Sequence, residues 1–147
     1  MKTGLPKKQK GAAAIEFALV FVVFFAVLYG VLSYSLPLLL MQSFNNATAE
    51  AVRRSVAVDP SLTAATYKST VEALATSVLN DKLSWVPKTV ATSLVKTATY
   101  DATKGVLTAT VSLPSVALRS IMPVLKFGTI IVPDLPSSLT VTSSMKF

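Results

Sequence analysis

From Phe17 to Ala49 the chain carries no Asp, Glu, Lys or Arg, and from Phe17 to Leu40 it is almost entirely apolar. A helix rises about 1.5 Å per residue, so this run exceeds the roughly 20 residues that cross a hydrocarbon core of about 30 Å. A cleaved secretory signal is the alternative, but its apolar region is usually about 7–15 residues long and ends at a small-residue cleavage site. Here the downstream flank reads PLLLMQSF and has no A-x-A pattern. One transmembrane helix therefore organises the chain, in keeping with a composition that is 52% hydrophobic and 14% charged at a mean hydropathy of +0.59.

The net charge of +7 is mostly a terminal feature, because Lys2, Lys7, Lys8 and Lys10 precede Gly11. From Ala12 onward ten basic residues face seven acidic ones. By the positive-inside rule, lysines ahead of the span and no comparable cluster just after it place the N-terminus in the cytoplasm. No basic patch with interleaved aromatic contacts can be read, which argues against nucleic acid as a partner. The chain has no Cys and no His, so thiolate nucleophiles, Ser-His-Asp triads and the common zinc sites are excluded from this chain alone. The seven acids are scattered without metal-ligand or paired-carboxylate spacing, so no catalytic residues, cofactor or metal site are expected.

Beyond Pro37, where a kink is expected, helix-forming character continues to Val58, with Leu40, Phe44, Ala47 and Ala51 recurring near one face. Glu50 lies within reach of the surface charges Arg53 and Arg54. Asp59 is placed to cap a second helix, with Pro60 in its first turn. Tyr67, Val71, Leu74 and Val78 then mark an amphipathic helix to about Asp81. Trp85-Val86-Pro87 reads as a packed connector with Trp85 in the core. Leu94 to Tyr100 and Val106 to Leu113 alternate around the turn DATKG and form a hairpin. Pro114 to Lys126 is ambiguous between a short helix and an irregular crossover, and LTVTSSMKF alternates as a closing strand. The fold class is α+β: a long N-terminal helix, a second helix and a small antiparallel sheet of three strands or slightly more. The expected organisation is 1–11 as a basic leader, 12–58 as the long helix, membrane-spanning to about 40, and 59–147 as a small extracytoplasmic domain.

One acid, Glu16, stands at the threshold of the apolar run. An unpaired carboxylate near a bilayer centre costs on the order of 2.5–3.5 kcal/mol on insertion scales, so its presence calls for a reason. The bland one is that it sits among headgroups and pairs with Lys10 or water. The other starts from the stretch K-G-A-A-A-I-E-F-A-L-V, Lys10 to Val20, which resembles the class III signal of type IV prepilin-like proteins. Together with F-N-N-A-T-A-E-A-V-R-R and the terminal S-L-T-V-T-S-S-M-K-F, it is similar to the TadE-like pseudopilins of the tight-adherence (Flp) pilus machinery. The resemblance covers most of the chain, strongest in Lys7 to Val58.

That resemblance implies cleavage by a prepilin peptidase between Gly11 and Ala12 on the cytoplasmic side. Lys10, Glu16 and Phe17 would serve processing and assembly, the new α-ammonium of Ala12 lying one helical turn from Glu16. In a bundle that cation equally faces Glu16 of a neighbouring subunit. The implied partners are the peptidase, other pilin or pseudopilin subunits, an inner-membrane assembly platform and membrane lipid. The implied location is a single pass through the bacterial inner membrane with a periplasmic C-terminal domain, entry into an extracellular pilus being left open. The expected function is a non-enzymatic minor pilin or pseudopilin of a Tad/Flp-type pilus or secretion apparatus. The rival is an unprocessed single-pass protein whose outer domain is a binding module; an enzyme would need chemistry brought by a partner.

Overall fold

The computed structural model describes residues 8–147, so the leader lysines Lys2 and Lys7 lie outside the described residues. Helix α1 runs unbroken from Lys8 to Ser55, about 70 Å at the standard rise. The leader's last residues join it, and Gly11 lies in its first turn rather than ahead of it. The helix also passes through Pro37, and next to the carbonyl that proline leaves without a donor, the Ser35 hydroxyl donates to Leu32 O at 2.7 Å.

The two halves of α1 differ sharply in what they touch. From Gly11 to Leu28 every residue is exposed, whereas from Ser33 a buried stripe begins and runs through Pro37, Leu40, Phe44, Ala47, Ala51 and Ser55. Steps of three and four keep that stripe on one face, and it is the face the rest of the chain covers. The α+β part therefore clasps the helix from Ser33 onward.

Chain reversal after α1 uses Asp59, but not as a helix cap. Its Oδ1 accepts the Ser61 N–H at 2.8 Å, an Asx turn, and helix α2 starts later, spanning Ala64–Lys82 behind Thr63. Val71, Ala75, Val78 and Leu79 form its buried face. A short helix α3, Lys88–Ala91, leads into strand β1, Val95–Asp101, which pairs antiparallel with β2, Val106–Pro114. Between them Asp101 Oδ1 accepts the N–H groups of Thr103 and Lys104, and Gly105 adopts a φ of +64°, the left-handed conformation the turn requires.

The ambiguous crossover resolves into a four-residue helix α4, Ser115–Leu118, and a second hairpin of β3, Leu125–Phe127, and β4, Ile130–Val132. The closing strand β5, Ser138–Lys146, pairs antiparallel with β2, giving the sheet order β1-β2-β5. Leu107, Ala109, Val111 and Leu113 of β2 face the helices, together with Leu139 and Val141 of β5. Hydroxyls fill the opposite face, where Thr110 bonds Thr142 at 3.0 Å and Ser112 bonds Thr140 at 2.7 Å.

Two polar links lock helix to sheet, and an aromatic stack closes the sheet's end. The Thr48 hydroxyl, fully buried, bonds Ser143 Oγ at 2.9 Å and fixes β5 against α1. Glu72 Oε1 accepts the Tyr100 N–H at 2.8 Å and ties α2 to the edge of the sheet. Tyr100 stacks on Phe147 with ring centroids 5.8 Å apart, closing the far end of the sheet. The core is thus shared: Leu40, Phe44, Ala47, Ala51 and Val52 of α1 belong to the same cluster as the sheet residues.

Candidate functional site

The residues singled out by the sequence lie together at the start of α1. Lys10 to Phe17 are all helical, and from Gly11 to Phe17 all are exposed. Ala12, Ala13 and Ala14 are the strongest helix formers, while Gly11 disfavours helix by about 1 kcal/mol relative to alanine. The bond between Gly11 and Ala12 is therefore at the weakest point of an otherwise firm turn, and a Cβ built on Gly11 meets nothing within 4 Å. A valine here is excluded by nothing in the chain itself; any obstruction would come from a partner.

Ala12 and Glu16 are four residues apart, which places them on one face with about 6 Å of axial separation. Past Glu16 the surface is aromatic. Phe17 and Phe21 have ring centroids 5.8 Å apart, Phe21 and Phe25 4.4 Å, and Phe24 and Phe25 5.7 Å, so the rings form a continuous ridge along an exposed helix. Such a surface is stable in lipid or against other helices and unfavourable in water.

The four ion pairs among the described residues all lie in the α+β part or at the end of α1. Glu50 accepts from Arg53 at 2.8 and 2.9 Å and from Arg54 at 2.7 Å. Those hydrogen bonds, Arg53 first, hold its carboxyl down from 4.5 to about 2. Among the described residues no group of three or more Asp or Glu side chains could hold a metal ion.

Sequence reasoning missed one feature. Trp85, expected in the core, is half exposed, while its neighbour Val86 is buried. It borders a cleft with Leu36, Leu39 and Ile121, at the end of the α+β part from which the bare half of α1 emerges. The reason is helix α3: its N-cap Pro87 turns the chain so that Val86 and Val90 point inward, and the indole is left outside.

Fold and exposed surface together define a protein carried on one long apolar helix, consistent with a single membrane span, with a small α+β part built around the helix's second half. Residues 11–53, nearly all of this helix, are similar to the TadE-like protein family, whose model they match. The match covers less than a third of the chain, beginning at Gly11 and ending just before α1 does. Neither the curated proteins nor the solved structures contain a match to the chain.

Proposed function

We propose that the chain is a minor pilin or pseudopilin of a Tad/Flp-type pilus or secretion apparatus, matured by a prepilin peptidase that cuts between Gly11 and Ala12. The observation that carries this reading is the junction at Gly11: the family match starts there, the lysine cluster ends at Lys10, and the alanine-rich apolar sequence begins at Ala12. The peptidase must open a helical turn to reach the bond, and glycine lowers the cost of opening and leaves room for a narrow active site.

Cleavage supplies the partner that Glu16 needs. The new α-ammonium at Ala12 lies one turn away and equally meets Glu16 of an adjacent subunit in a bundle. A misregistered subunit leaves the carboxylate without its cation in a low-dielectric setting, so the pair sets axial register. Lys10 marks the cytoplasmic boundary before the cut, and Phe17 begins the ridge that packs on lipid or on other subunits. The role is structural rather than catalytic, with the α+β part, on the periplasmic side, as the surface for other subunits and the assembly platform.

The test is the intact mass and N-terminal sequence of the protein recovered from membranes of a host with and without its prepilin peptidase. A chain beginning at Ala12 only when the peptidase is present is the expected result. Retention of Lys2 to Gly11 in both strains refutes processing and favours the unprocessed single-pass protein with an extracytoplasmic binding module.

A further inference from the structure

The hairpin of β3 and β4 hangs from the α+β part along the bare half of α1. Two tyrosines of the helix hold it at its roots: the Tyr29 hydroxyl donates to Pro123 O at 2.6 Å, and the Asp134 N–H donates to Tyr34 Oη at 3.0 Å. Leu125 lines a shallow cleft with Phe21, Val22, Phe25, Ala26 and Tyr29. The hairpin's depth along the helix is thereby fixed. A span of about 20 residues starting near Ala12 ends near Leu32, and Leu125 sits beside residues centred on Phe25, roughly 10 Å inside that boundary.

The composition suits that depth. Between Ser120 and Pro133 the one charged residue is Lys126, and Ile130 is 63% exposed with Leu125 and Ile131 also open. Ile130 opens β4 directly after the two-residue turn Gly128-Thr129, and three open apolar side chains on so short a hairpin form a patch suited to an apolar surrounding. Lys126 is the arm's single charge, and its long apolar stem lets the ammonium lean toward the interface. Half-exposed Trp85 and the two tyrosines stand just above, where amphipathic rings favour a membrane interface.

From these contacts we infer that the β3–β4 hairpin is a lipid-inserted arm, embedded beside α1 in the leaflet on the side of the α+β part. The inference rests on α1 spanning the membrane. Backbone polarity is the main obstacle to a hairpin in lipid, and three paired positions with tyrosine bonds at entry and exit reduce it to the outward edges of two three-residue strands. Insertion to about 10 Å is also the depth at which interfacial amphipathic segments lie. A second copy of the chain is the less favoured occupant, because eight residues fall short of the roughly 20–30 per side of a standard interface. The arm gives the protein a second lipid contact, which resists tilting and rotation of α1 and fixes how far the α+β part stands off the membrane.

The natural chain has no cysteine, so single labels are unambiguous. Val20→Cys, Ile130→Cys and Thr103→Cys, each carrying the environment-sensitive fluorophore NBD, are compared in the full chain reconstituted into phosphatidylethanolamine and phosphatidylglycerol vesicles. All three positions are exposed, so the fold tolerates the change. Spin-labelled acyl chains are expected to quench positions 20 and 130 but not 103, and aqueous iodide only 103. Position 20 quenched by lipid with position 130 quenched by iodide overturns the arm and leaves the span intact. Position 130 shielded from both quenchers also overturns it, in favour of a protein neighbour. Position 20 open to iodide defeats the spanning reading and the arm with it.

Discussion

Replacing Phe44 by alanine tests whether α1 and the sheet are one folding unit. The ring is fully buried on the face of α1 that meets α2 and the sheet. Its loss removes the transfer free energy of the largest fully buried side chain and leaves a cavity that rigid neighbours on a helix and a sheet cannot close. Phenylalanine to alanine in such sites costs about 3–5 kcal/mol. Set against a whole-domain stability of about 5–15 kcal/mol, that is a large fraction. At about 4–8 °C per kcal/mol for a domain of this size, melting of the α+β part falls by on the order of 20 °C. The assay is a thermal melt of the full chain in detergent micelles, followed by hydrogen exchange at the β2 amides and by circular dichroism. Val27→Ala, on the bare half of the same helix, is the control and shifts the melt by less than about 0.5 kcal/mol equivalent. If Phe44→Ala melts within about 2 °C of the natural chain, a range that corresponds to under about 1 kcal/mol, the helix is a mere tether and the shared core is refuted.

Gly11→Val is expected to block maturation, because its side chain obstructs a peptidase although the chain itself offers no clash; a cleaved product on immunoblot counts against the processing site. Glu16→Ala is expected to leave membrane insertion intact and impair assembly, read as normal membrane fractionation with loss of pili by electron microscopy; normal piliation dismisses the register role. Glu50 stays ionised down to about pH 2, because its folded value is depressed below the ordinary 4.5 by Arg53 and Arg54. The pair's contribution to stability is therefore present above about 4.5 and lost as pH falls through about 2; a carboxyl NMR midpoint near 4.5 refutes it. Gly105→Ala forces a Cβ onto a φ of +64° and to 2.9 Å from Phe147 O, and is expected to cost roughly 1–2 kcal/mol in a melt, where an unchanged midpoint sinks the strain argument.

Much of the fold was legible because its signals are local. The stripe at Val71 and Val78, the alternation of β2 and the DATKG turn each report a period or a backbone requirement that a few neighbouring residues impose, and each element formed, α2 with a later start. The candidate processing residues Lys10, Gly11, Ala12, Glu16 and Phe17 lie within eight positions of one another at the start of α1, and their roles rest on the resemblance of that short stretch and on the test proposed above. Asp59 misled because an aspartate before proline suits an Asx turn as well as a helix cap, and only the packing of α2 on α1 selects between them.

The sequence by itself determined that a long apolar helix must find lipid or other helices, that an acid sits at its edge, and that the rest is α+β, because hydrophobic length and period are properties of the chain alone. Tertiary structure decided where the helix stops being bare. No property of Ser33 or Leu40 in isolation says that segments far later in the chain will cover both and leave Leu39 open. Likewise, the placement of Leu125 beside Phe21 to Tyr29 depends on bonds between residues about a hundred positions apart. Those long-range contacts form only once the core has closed, so they are written in no single stretch of the chain.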